Sequence, residues 1–400
     1  MEDFDVAIVG GGIVGLATAW QLVQRYPASN VIVIEKEPQL AAHQSRHNSG
    51  VLHSGIYYRP GSLRAINCRQ GKYAMEQFCL QYGIPFEQCG KVIVAVNEAE
   101  RERLQTIYQR GLANGVNCQL IDRHRLCELE PYTAGLAAVH VPETGIVNYL
   151  RVCQQLAELL QNSGRHLQLS STVTAIHPEP HQVTVETTQG TIHARYLVTC
   201  GGLWEDRLIR LAGDVPIAQV VPFRGEFFKL KPEAEYLCRT LIYPVPDPAF
   251  PFLGVHFTRM ISGGVECGPN AVLAFARDGY RKTALNLSDL LETFTYRGFQ
   301  KMACKHWKTG LGEMWRSWSK AAFVKALQRL VPEIRSEHLI AAPSGVRAQA
   351  LGADGKLLDD FVIQQSGRMI HVGNAPSPAA TASLNIGNMI VDHLAEADLH

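Results

Sequence analysis

The pattern of apolar and polar positions begins with two short apolar runs on either side of a glycine turn. Residues 5–9 form the first run, and residues 31–34 form the second, which ends at Glu35. Between them, apolar residues recur at helical spacing from Ile13 onward, directly after the turn at residues 10–12. A buried strand, a tight turn, a helix and a second buried strand are the elements of a parallel βαβ unit. The chain is therefore predicted to open on a doubly wound α/β sheet.

Further along the chain, the same criteria predict both helices and strands. Helical periodicity extends over residues 63–82, 98–114, 150–163 and 285–330, and a final helix follows near the C-terminal end. Strand-like runs occur at residues 91–96, 166–171, 173–176, 183–187, 190–194, 196–200, 220–230, 254–258, 339–342, 361–363 and 369–372.

These runs predict a chain that passes twice between two domains. The predicted fold class is α/β, with a doubly wound Rossmann-type domain interleaved with an α+β domain built on a mixed or antiparallel sheet. The cofactor-binding domain is predicted to take residues 1–88, 149–208 and 336–400. The second, substrate-binding domain is predicted to take residues 89–148 and 209–335.

The glycine turn has the spacing that suits a dinucleotide phosphate. Gly10 permits the sharp turn, Gly12 lets a pyrophosphate approach the backbone, and Gly15 permits close packing of the helix. The N-terminus of that helix also offers free N–H groups and a positive dipole end. Glu35 lies about 20 residues later, where a carboxylate can bind a ribose diol and disfavours a 2′-phosphate. The turn predicts FAD or NAD without separating them, and the alternative is a glycine-rich turn in an unrelated α/β protein.

Composition and charge narrow the class of protein further. The chain has 400 residues and a formal net charge of +1, which suits two packed domains and gives no support for nucleic-acid binding. Its ten cysteines are scattered without a CxxC pair or a His/Cys cluster at zinc spacing, so we expect reduced thiols and no metal. We expect no targeting segment and no span across a bilayer. These features favour a cytoplasmic protein whose membrane contact, if any, is peripheral.

Seven segments, in order over nearly the whole chain, have a more specific pattern than the glycine turn. They are RHNSGVLHSGIYY (46–58), CGKVIVAV (89–96), ETGIVNY (143–149), HFT (256–258), GPNAVLAF (268–275), PSGVRAQ (343–349) and NAPSPAAT (374–381). On these segments, the chain resembles the D-amino-acid-oxidase/glycerol-3-phosphate-dehydrogenase family of FAD-dependent oxidoreductases. Within that family, it is similar to the branch that acts on L-2-hydroxyglutarate.

The resemblance implies FAD as the cofactor and a hydroxy acid with two carboxylates as the substrate. The implied reaction is oxidation of L-2-hydroxyglutarate to 2-oxoglutarate, with hydride transfer from Cα to flavin N5. The electrons would then pass to a membrane quinone or to oxygen. Two alternatives stay open, an amine or amino-acid oxidase of the same fold and a flavin-binding protein without turnover.

The resemblance also implies where FAD lies. We expect its ADP half on the first βαβ unit and its isoalloxazine ring at the domain interface. The N-terminus of the last helix is expected to stabilise negative charge on reduced flavin near N1 and O2. For several positions a purely structural role is the alternative. The predicted FAD-binding residues are Gly10, Gly12, Ile13, Val14, Gly15, Glu35, Lys36, Ser45, Asn48, Ser49, Gly50, Val173, Thr174, Cys200, Gly201, Ala380, Thr381, Ser383 and Leu384.

Arginines near these segments are candidates for binding the substrate carboxylates. Arg347 is the first candidate for the carboxylate beside the reacting carbon, because a guanidinium binds a carboxylate through two hydrogen bonds. Arg59 and Arg64 are weaker candidates for the distal carboxylate, and Tyr58 could add a hydroxyl. A surface salt bridge is the alternative role for each arginine.

Two histidines are candidates for the base that accepts the hydroxyl proton. A neutral histidine titrates near working pH and can act as a general base. His53 lies in the predicted flavin-side loop, and His256 lies on a predicted strand of the substrate domain. For either histidine alone, a structural role is equally compatible with the sequence.

Residues 296–320 have a composition unlike the rest of the chain. They contain three tryptophans and six Lys or Arg residues against one Glu. Aromatic and basic residues interleaved on a helix suit the surface of an anionic bilayer. This segment is therefore predicted to place the protein on the cytoplasmic face of the inner membrane. The alternative is a solvated helical hairpin packed through its tryptophans.

Overall fold

The computed structural model describes residues 3–247 and 253–396, which form strands in three sheets with helices packed against them. In chain order the strands are β1 (Asp3–Val9), β2 (Val31–Ile34), β3 (Val51–Leu52), β4 (Phe86–Glu87), β5 (Lys91–Ala95), β6 (Gln119–Asp122), β7 (Ala137–Val141), β8 (Gly145–Val147), β9 (His166–Gln168), β10 (Val173–Pro178), β11 (Val183–Thr187), β12 (Gly190–Thr199), β13 (Gln219–Leu230), β14 (Leu241–Pro244), β15 (His256–Arg259), β16 (Val265–Gly268), β17 (Val272–Leu273), β18 (Leu339–Leu351), β19 (Val362–Ser366) and β20 (Met369–Asn374).

Several of the helices begin at a side chain that caps the helix N-terminus. The hydroxyl of Ser62 accepts a hydrogen bond from the amide of Ala65, and the side chain of Asn148 accepts one from Leu150. In chain order the α-helices are α1 (Ile13–Arg25), α2 (Leu63–Gln81), α3 (Glu98–Ala113), α4 (Arg123–Leu129), α5 (Tyr149–Asn162), α6 (Glu205–Leu211), α7 (Leu287–Thr295), α8 (Arg297–Trp318), α9 (Lys320–Leu327) and α10 (Ala379–Glu396). Short 3-10 helices span Gly202–Trp204, Pro232–Leu237 and Ser336–His338.

The first sheet has the organisation predicted for a cofactor domain. Its main path runs β10-β11-β12-β1-β2-β9, with β20 and then β19 joined beside β12. The pairs around β1 are parallel, as expected for a doubly wound sheet, whereas β10, β11 and β12 form an antiparallel extension. Helices α1, α5 and α10 pack on one face of this sheet through an apolar core. The predicted fold class is confirmed.

The second sheet is mixed, and the strand that carries Arg347 lies in it. Its path runs β17-β13-β16-β15-β14-β5-β7-β6, and β18 pairs with β13 over almost its whole length. Most pairs are antiparallel, but β14 and β5 are parallel. Val92, Val94 and Phe257 face a core that α9 covers. The opposite face is turned toward β3, which directly follows the loop of residues 41–50, since Tyr243 packs with Val51.

The division of the chain between two domains stays a prediction. The pairing of β18 concerns its last boundary, between residues 335 and 336. The predicted cofactor segment 336–400 includes β18, which pairs with β13 of the second sheet. The small sheet β3-β8-β4 also joins segments from both predicted domains. The predicted ranges include residues 1–2, 248–252 and 397–400, which lie outside the described residues.

The long helical segment predicted over residues 285–330 is divided into α7, α8 and α9. The breaks fall at Tyr296 and Ser319, whose backbones are extended. Helix α8 is itself kinked at His306, which has non-helical dihedral angles. Helix α8 packs through Phe299 on one apolar cluster and α9 packs through Phe323 and Leu327 on another, although apolar residues recur across the breaks. The sequence pattern therefore did not reveal the breaks.

Candidate active site at the interface of the two sheets

The glycine turn brings the ends of β1 and β12 and the start of α1 within contact of one another. Gly10 has a φ of +116°, a conformation that favours glycine. A Cβ atom on Gly10 would lie 2.4 Å from the carbonyl oxygen of Cys200, and one on Gly15 would lie 2.0 Å from that of Gly10. No side chain fits at either position. The turn therefore leaves backbone N–H groups at the start of α1 open to a phosphate.

Glu35 lies at the end of β2, where its carboxylate also holds the glycine turn. One carboxylate oxygen accepts a hydrogen bond of 2.7 Å from the amide of Gly11, and the other accepts one of 2.9 Å from Glu37. Only 8% of the residue is exposed. Each oxygen retains a further lone pair that a ribose diol can use, so the residue fits the ADP half of FAD.

The loop of residues 41–50 connects the start of α1 to β18 of the second sheet. The hydroxyl of Ser45 accepts a hydrogen bond of 2.9 Å from the amide of Ile13. Asn48 stabilises the loop internally, since its side chain accepts from Gly50 and donates to the carbonyl of Ser45. At the other side, the amide of Ala348 donates to the side chain of Gln44 over 3.0 Å. The predicted flavin-side loop therefore lies between the two sheets.

The remaining predicted FAD residues lie in three places. Lys36 is half-buried, and its ammonium lies 3.9 Å from the ring centroid of Trp204. Thr174 is exposed on β10, next to the half-buried Val173. In α10, the hydroxyl of Thr381 bonds with the hydroxyl of Tyr149 over 2.8 Å and accepts from the amide of His53. The side chain of Thr381 thus fixes His53 against α10. All of the predicted FAD-binding residues stay predictions as ligands of FAD, including Ala380, Ser383, Leu384, Val14 and Ser49.

A buried polar network supports the turn after β12, and it was not recognised from the sequence. The carboxylate of Glu205 accepts a hydrogen bond of 2.6 Å from the amide of Gly201 and is also bonded to the hydroxyl of Thr199. The same hydroxyl lies 2.7 Å from Nδ1 of His371, whose Nε2 lies 3.3 Å from Asp214. Burial raises the pKa of Glu205 to about 7. A histidine within the apolar run of β20 was the signal that could have revealed this network.

The structure brings the two predicted histidines together on the face of the second sheet that is turned toward the loop. His53 directly follows β3, and His256 opens β15, where its ring stacks at 4.0 Å on that of Tyr243. Burial lowers the pKa of His53 to about 3, and the positive charges of Lys91 and Arg64 act in the same direction, as does His256. Burial also lowers the pKa of His256 to about 4, aided by Arg347 and Lys91. We call His53, Lys91, Tyr243, His256 and Arg347 the histidine cluster.

The hydrogen bonding of His256 determines which nitrogen can accept a proton. Its Nδ1 lies 2.9 Å from the carbonyl oxygen of Gly254, which can only accept. With a pKa of about 4 the ring is neutral at ordinary pH, so its single proton is on Nδ1. Nε2 therefore carries the lone pair and is the atom that can receive a hydrogen bond from a hydroxyl.

The predicted arginines occupy different positions relative to this cluster. Burial lowers the pKa of Arg347 to about 10, and Glu313 opposes that shift. Arg64 is held on the backbone of the neighbouring loops, since it donates to the carbonyls of Ser377 and Asp359. Its guanidinium also lies 4.5 Å from the ring centroid of Tyr58. Arg59 is exposed at the surface, so the geometry favours it least as a ligand of a buried carboxylate.

Lys91 is a member of the histidine cluster that the sequence analysis did not single out. It begins β5 and is 1% exposed, and its ammonium lies 4.7 Å from the ring centroid of Tyr57 and 5.1 Å from that of Tyr243. Burial lowers its pKa to about 8. The signal was present in the sequence, because a lysine stands at the start of the otherwise apolar run KVIVAV.

Two further properties of the described residues bear on function. Among residues 3–247 and 253–396, no group of three or more His, Cys, Asp or Glu side chains is arranged to hold a metal ion. In the same part of the chain, no helix has the length and apolar character needed to cross a membrane.

Comparisons with known proteins show the family to which the chain belongs. A family model described as FAD dependent oxidoreductase matches residues 5–393. An L-2-hydroxyglutarate dehydrogenase of Indibacter alkaliphilus is 49% identical, covering 98% of each chain. The mitochondrial L-2-hydroxyglutarate dehydrogenase of Homo sapiens is 44% identical over 98% of this chain and 89% of its own length.

Solved structures show the same fold. The L-alpha-glycerophosphate oxidase of Mycoplasma pneumoniae, with FAD bound, superposes with a TM-score of 0.81 at 24% identity, covering 99% of this chain and 95% of that one. Glycine oxidase from Geobacillus kaustophilus superposes with a TM-score of 0.73 at 19% identity, covering 100% and 96%. The chain belongs to the family of FAD dependent oxidoreductases, and its cofactor is FAD.

Proposed function

We propose that this protein oxidises L-2-hydroxyglutarate to 2-oxoglutarate with FAD as the oxidant. The observation that carries the proposal is the histidine cluster, in which the buried Lys91 and the half-buried Arg347 accompany two neutral histidines. Cations that are partly or wholly removed from water suit a small anion that carries more than one carboxylate. Curated relatives that cover nearly the whole chain bear the name L-2-hydroxyglutarate dehydrogenase, which supports the same substrate.

Each member of the cluster has a role in this proposal. Arg347 binds the carboxylate beside the reacting carbon, because its planar guanidinium suits two parallel hydrogen bonds. Nε2 of His256 accepts the hydrogen bond of the substrate hydroxyl, and His53 is the second candidate base. The chemistry that FAD supplies when bound is the removal of two electrons from the hydroxyl-bearing carbon. Burial of the site keeps water from the carbon that is oxidised.

The cofactor contacts belong to the same proposal. We propose that the pyrophosphate is held at Gly10, Gly12 and the start of α1, with Cys200 and Gly201 on its other side. Glu35 would bind the ribose, and the backbone near Val173 and Thr174 would hold the adenine. Ser45 and Asn48 would shape the loop beside the flavin, and the N-terminus of α10 would favour negative charge on it.

The proposed function is tested by anaerobic reduction of the FAD-loaded protein with single substrates. Loss of flavin absorbance with L-2-hydroxyglutarate, but not with L-glutamate, is the expected result. L-Glutamate differs only by an amine in place of the hydroxyl, so bleaching by it would favour an amino-acid oxidase instead. A bound flavin that neither compound reduces would contradict turnover and favour a protein that only binds flavin.

We further propose that α7 and α8 dock on an anionic membrane surface, where electrons can pass to a quinone rather than to oxygen. Trp307, Trp315 and Trp318 are 57%, 68% and 69% exposed. On the neighbouring helix α7, Leu287 and Leu291 are 68% and 65% exposed. Exposed tryptophan and leucine side chains support contact with an apolar phase. The Lys and Arg residues of segment 296–320 complement anionic lipid.

Flotation with vesicles tests the docking proposal. The wild type is expected to bind vesicles that contain phosphatidylglycerol and to bind pure phosphatidylcholine vesicles more weakly. The double variant Trp315→Glu, Trp318→Glu is expected to lose that binding while it retains its FAD. Tyr73→Glu is the control, since Tyr73 is 66% exposed on α2, away from the patch. Equal binding by the double variant and the wild type would contradict the proposal.

A further inference from the structure

Lys91 is a buried cation without a carboxylate of its own among the described residues. Within residues 3–247 and 253–396 its ammonium forms no salt bridge or hydrogen bond, and the rings of Tyr57 and Tyr243 lie near it. Another buried lysine is paired. Lys72 is 5% exposed and lies 2.6 Å from a carboxylate oxygen of Glu76. An unpaired buried ammonium is costly, so its presence on an apolar strand needs a compensating ligand.

A second polar group near Lys91 is also left unpaired. The hydroxyl of Tyr57 is fully buried and has no hydrogen-bond partner among the described residues. The Lys91 ammonium lies 4.7 Å from the centroid of the Tyr57 ring, so the cation and the phenol are neighbours. A carboxylate can satisfy both, since it accepts a charge-assisted hydrogen bond from the ammonium and a further one from the hydroxyl.

We propose that Lys91 binds the second carboxylate of the substrate, with the hydroxyl of Tyr57 as an additional donor, and that this pair selects dicarboxylates over monocarboxylates. The inference rests on the proposed function and names the residue that sets its substrate class. Lys91 and Arg347 both lie near enough to His256 for their charges to lower its pKa. A hydroxy acid with two carboxylates could therefore place one carboxylate at each cation. Arg64 and Arg59 were the weaker sequence candidates for this carboxylate, and we favour Lys91 because Arg64 donates to backbone carbonyls.

Binding of substrate analogues that cannot be oxidised separates this proposal from the proposed function. Glutarate keeps both carboxylates of L-2-hydroxyglutarate but lacks its hydroxyl, and butyrate lacks the second carboxylate as well. Dissociation constants come from the change in absorbance of the oxidised flavin in the holoenzyme. We expect the wild type to bind glutarate at least about 30-fold more tightly than butyrate, because a buried charge pair can strengthen binding by this factor.

The variant Lys91→Met is expected to reduce that preference to less than about threefold by weakening glutarate binding. Lys72→Met is the matched control, since it removes another buried lysine outside the cluster and should leave the preference unchanged. Lys91→Arg, which keeps the charge, should retain part of the preference. Tyr57→Phe should reduce it by a smaller factor than Lys91→Met.

Three outcomes would overturn the proposal. The first is a wild type that binds glutarate and butyrate equally. The second is a Lys91→Met variant with the wild-type preference. The third is a Lys91→Met variant that loses glutarate and butyrate binding equally while it retains FAD, because that result assigns Lys91 to the common carboxylate or to the general shape of the site. Failure of the proposed function appears differently, as absence of flavin reduction by L-2-hydroxyglutarate in a wild type that discriminates between the analogues.

Discussion

The glycine turn and the histidine cluster are built in opposite ways. The turn is a local structure, in which Gly10, Gly12 and Gly15 follow one another within a single βαβ unit and Glu35 ends its second strand. The histidine cluster draws its members from five separate places, since His53, Lys91, Tyr243, His256 and Arg347 lie after β3 and on β5, β14, β15 and β18. A local motif can be identified from spacing alone, whereas a cluster of this kind exists only after the sheets have packed.

The two regions also differ in how they tolerate change. In the turn, backbone atoms approach one another so closely that no side chain fits. In the cluster, side chains are held by burial and ring contacts, while polar atoms such as the Tyr57 hydroxyl are left for a ligand. Substitutions in the turn should therefore abolish the holoenzyme, and substitutions in the cluster should change rates and affinities in a protein that still binds FAD.

The largest effect is expected from Gly15→Ala. Its Cβ would lie 2.0 Å from the carbonyl oxygen of Gly10, so α1 must move away from the turn, at a cost of about 3 kcal/mol or more. We expect protein that is recovered without FAD, measured by the ratio of flavin to protein absorbance. Gly310→Ala is the control, because a Cβ there meets no atom within 4 Å. A Gly15→Ala protein with a full complement of FAD would contradict the expectation that substitutions in the turn abolish FAD binding.

Removal of the base should have the next largest effect, and it should leave FAD in place. His53→Gln and His256→Gln keep a polar side chain of similar size but cannot accept the hydroxyl proton. We expect the variant of the true base to reduce its flavin about 100- to 10,000-fold more slowly in single-turnover experiments. His140→Gln on β7 is the control, since that histidine lies outside the cluster. Unchanged reduction in both cluster variants would contradict the assignment of the base to either histidine.

The same contrast explains what could be predicted from the sequence. The turn, Glu35 and the fold class follow from local spacing and from the alternation of strands and helices. His53, His256 and Arg347 were also named, and the structure brings them together, but their roles stay predictions. Lys91 was passed over because it stands inside an apolar run that predicts a buried strand, and a strand alone does not show which residues lie opposite. The pairing of β18 with β13 was missed because strand partners distant in sequence leave no periodic signal.

A pH titration of ligand binding tests the charge of one residue of the histidine cluster, because the other members keep their charge state over the same pH range. Burial lowers the pKa of Lys91 to about 8, whereas His53 and His256 have pKa values of about 3 and about 4 and are already neutral. Burial raises the pKa of Cys68 to about 12 and also raises those of Tyr57 and Tyr243, so these groups keep their protons. Arg347, with a pKa of about 10, stays mainly charged up to pH 9.5. Between pH 7 and 9.5, Lys91 is the member of this set that changes charge.

The protonated form of Lys91 is the one that binds a carboxylate, so its contribution is present below pH 8 and is lost above it. The preference of the wild type for glutarate over butyrate should fall above pH 8 with a slope that approaches about tenfold per pH unit, until it reaches the ratio of Lys91→Met. Arg347 binds a carboxylate of either analogue, so its own titration cancels from the ratio. In Lys91→Met the ratio should be independent of pH. A wild-type ratio that stays constant from pH 7 to 9.5 would contradict a role for the Lys91 charge.

The smallest effect concerns Glu205, which shows that the local turn also depends on residues far away in the sequence. Its carboxylate holds the amide of Gly201 and is linked through Thr199 to His371 on β20. Burial raises its pKa to about 7 in the folded protein. The folded state therefore binds this proton more tightly than the unfolded state does. The stability that it contributes is present at low pH and is lost as pH rises through about 7.

Glu205→Gln cannot ionise, so it should lack this dependence while its amide oxygen still accepts from Gly201. We expect the midpoint of thermal unfolding of the wild type to fall relative to that of Glu205→Gln by about 3 °C between pH 5 and pH 8. The ratio of glutarate to butyrate affinity should be the same in both proteins, because Glu205 lies outside the histidine cluster. A parallel pH dependence of the two midpoints would show that Glu205 is not protonated within this range. A changed affinity ratio would instead show that the turn and the histidine cluster are coupled. The two regions could then not be treated as independent of each other.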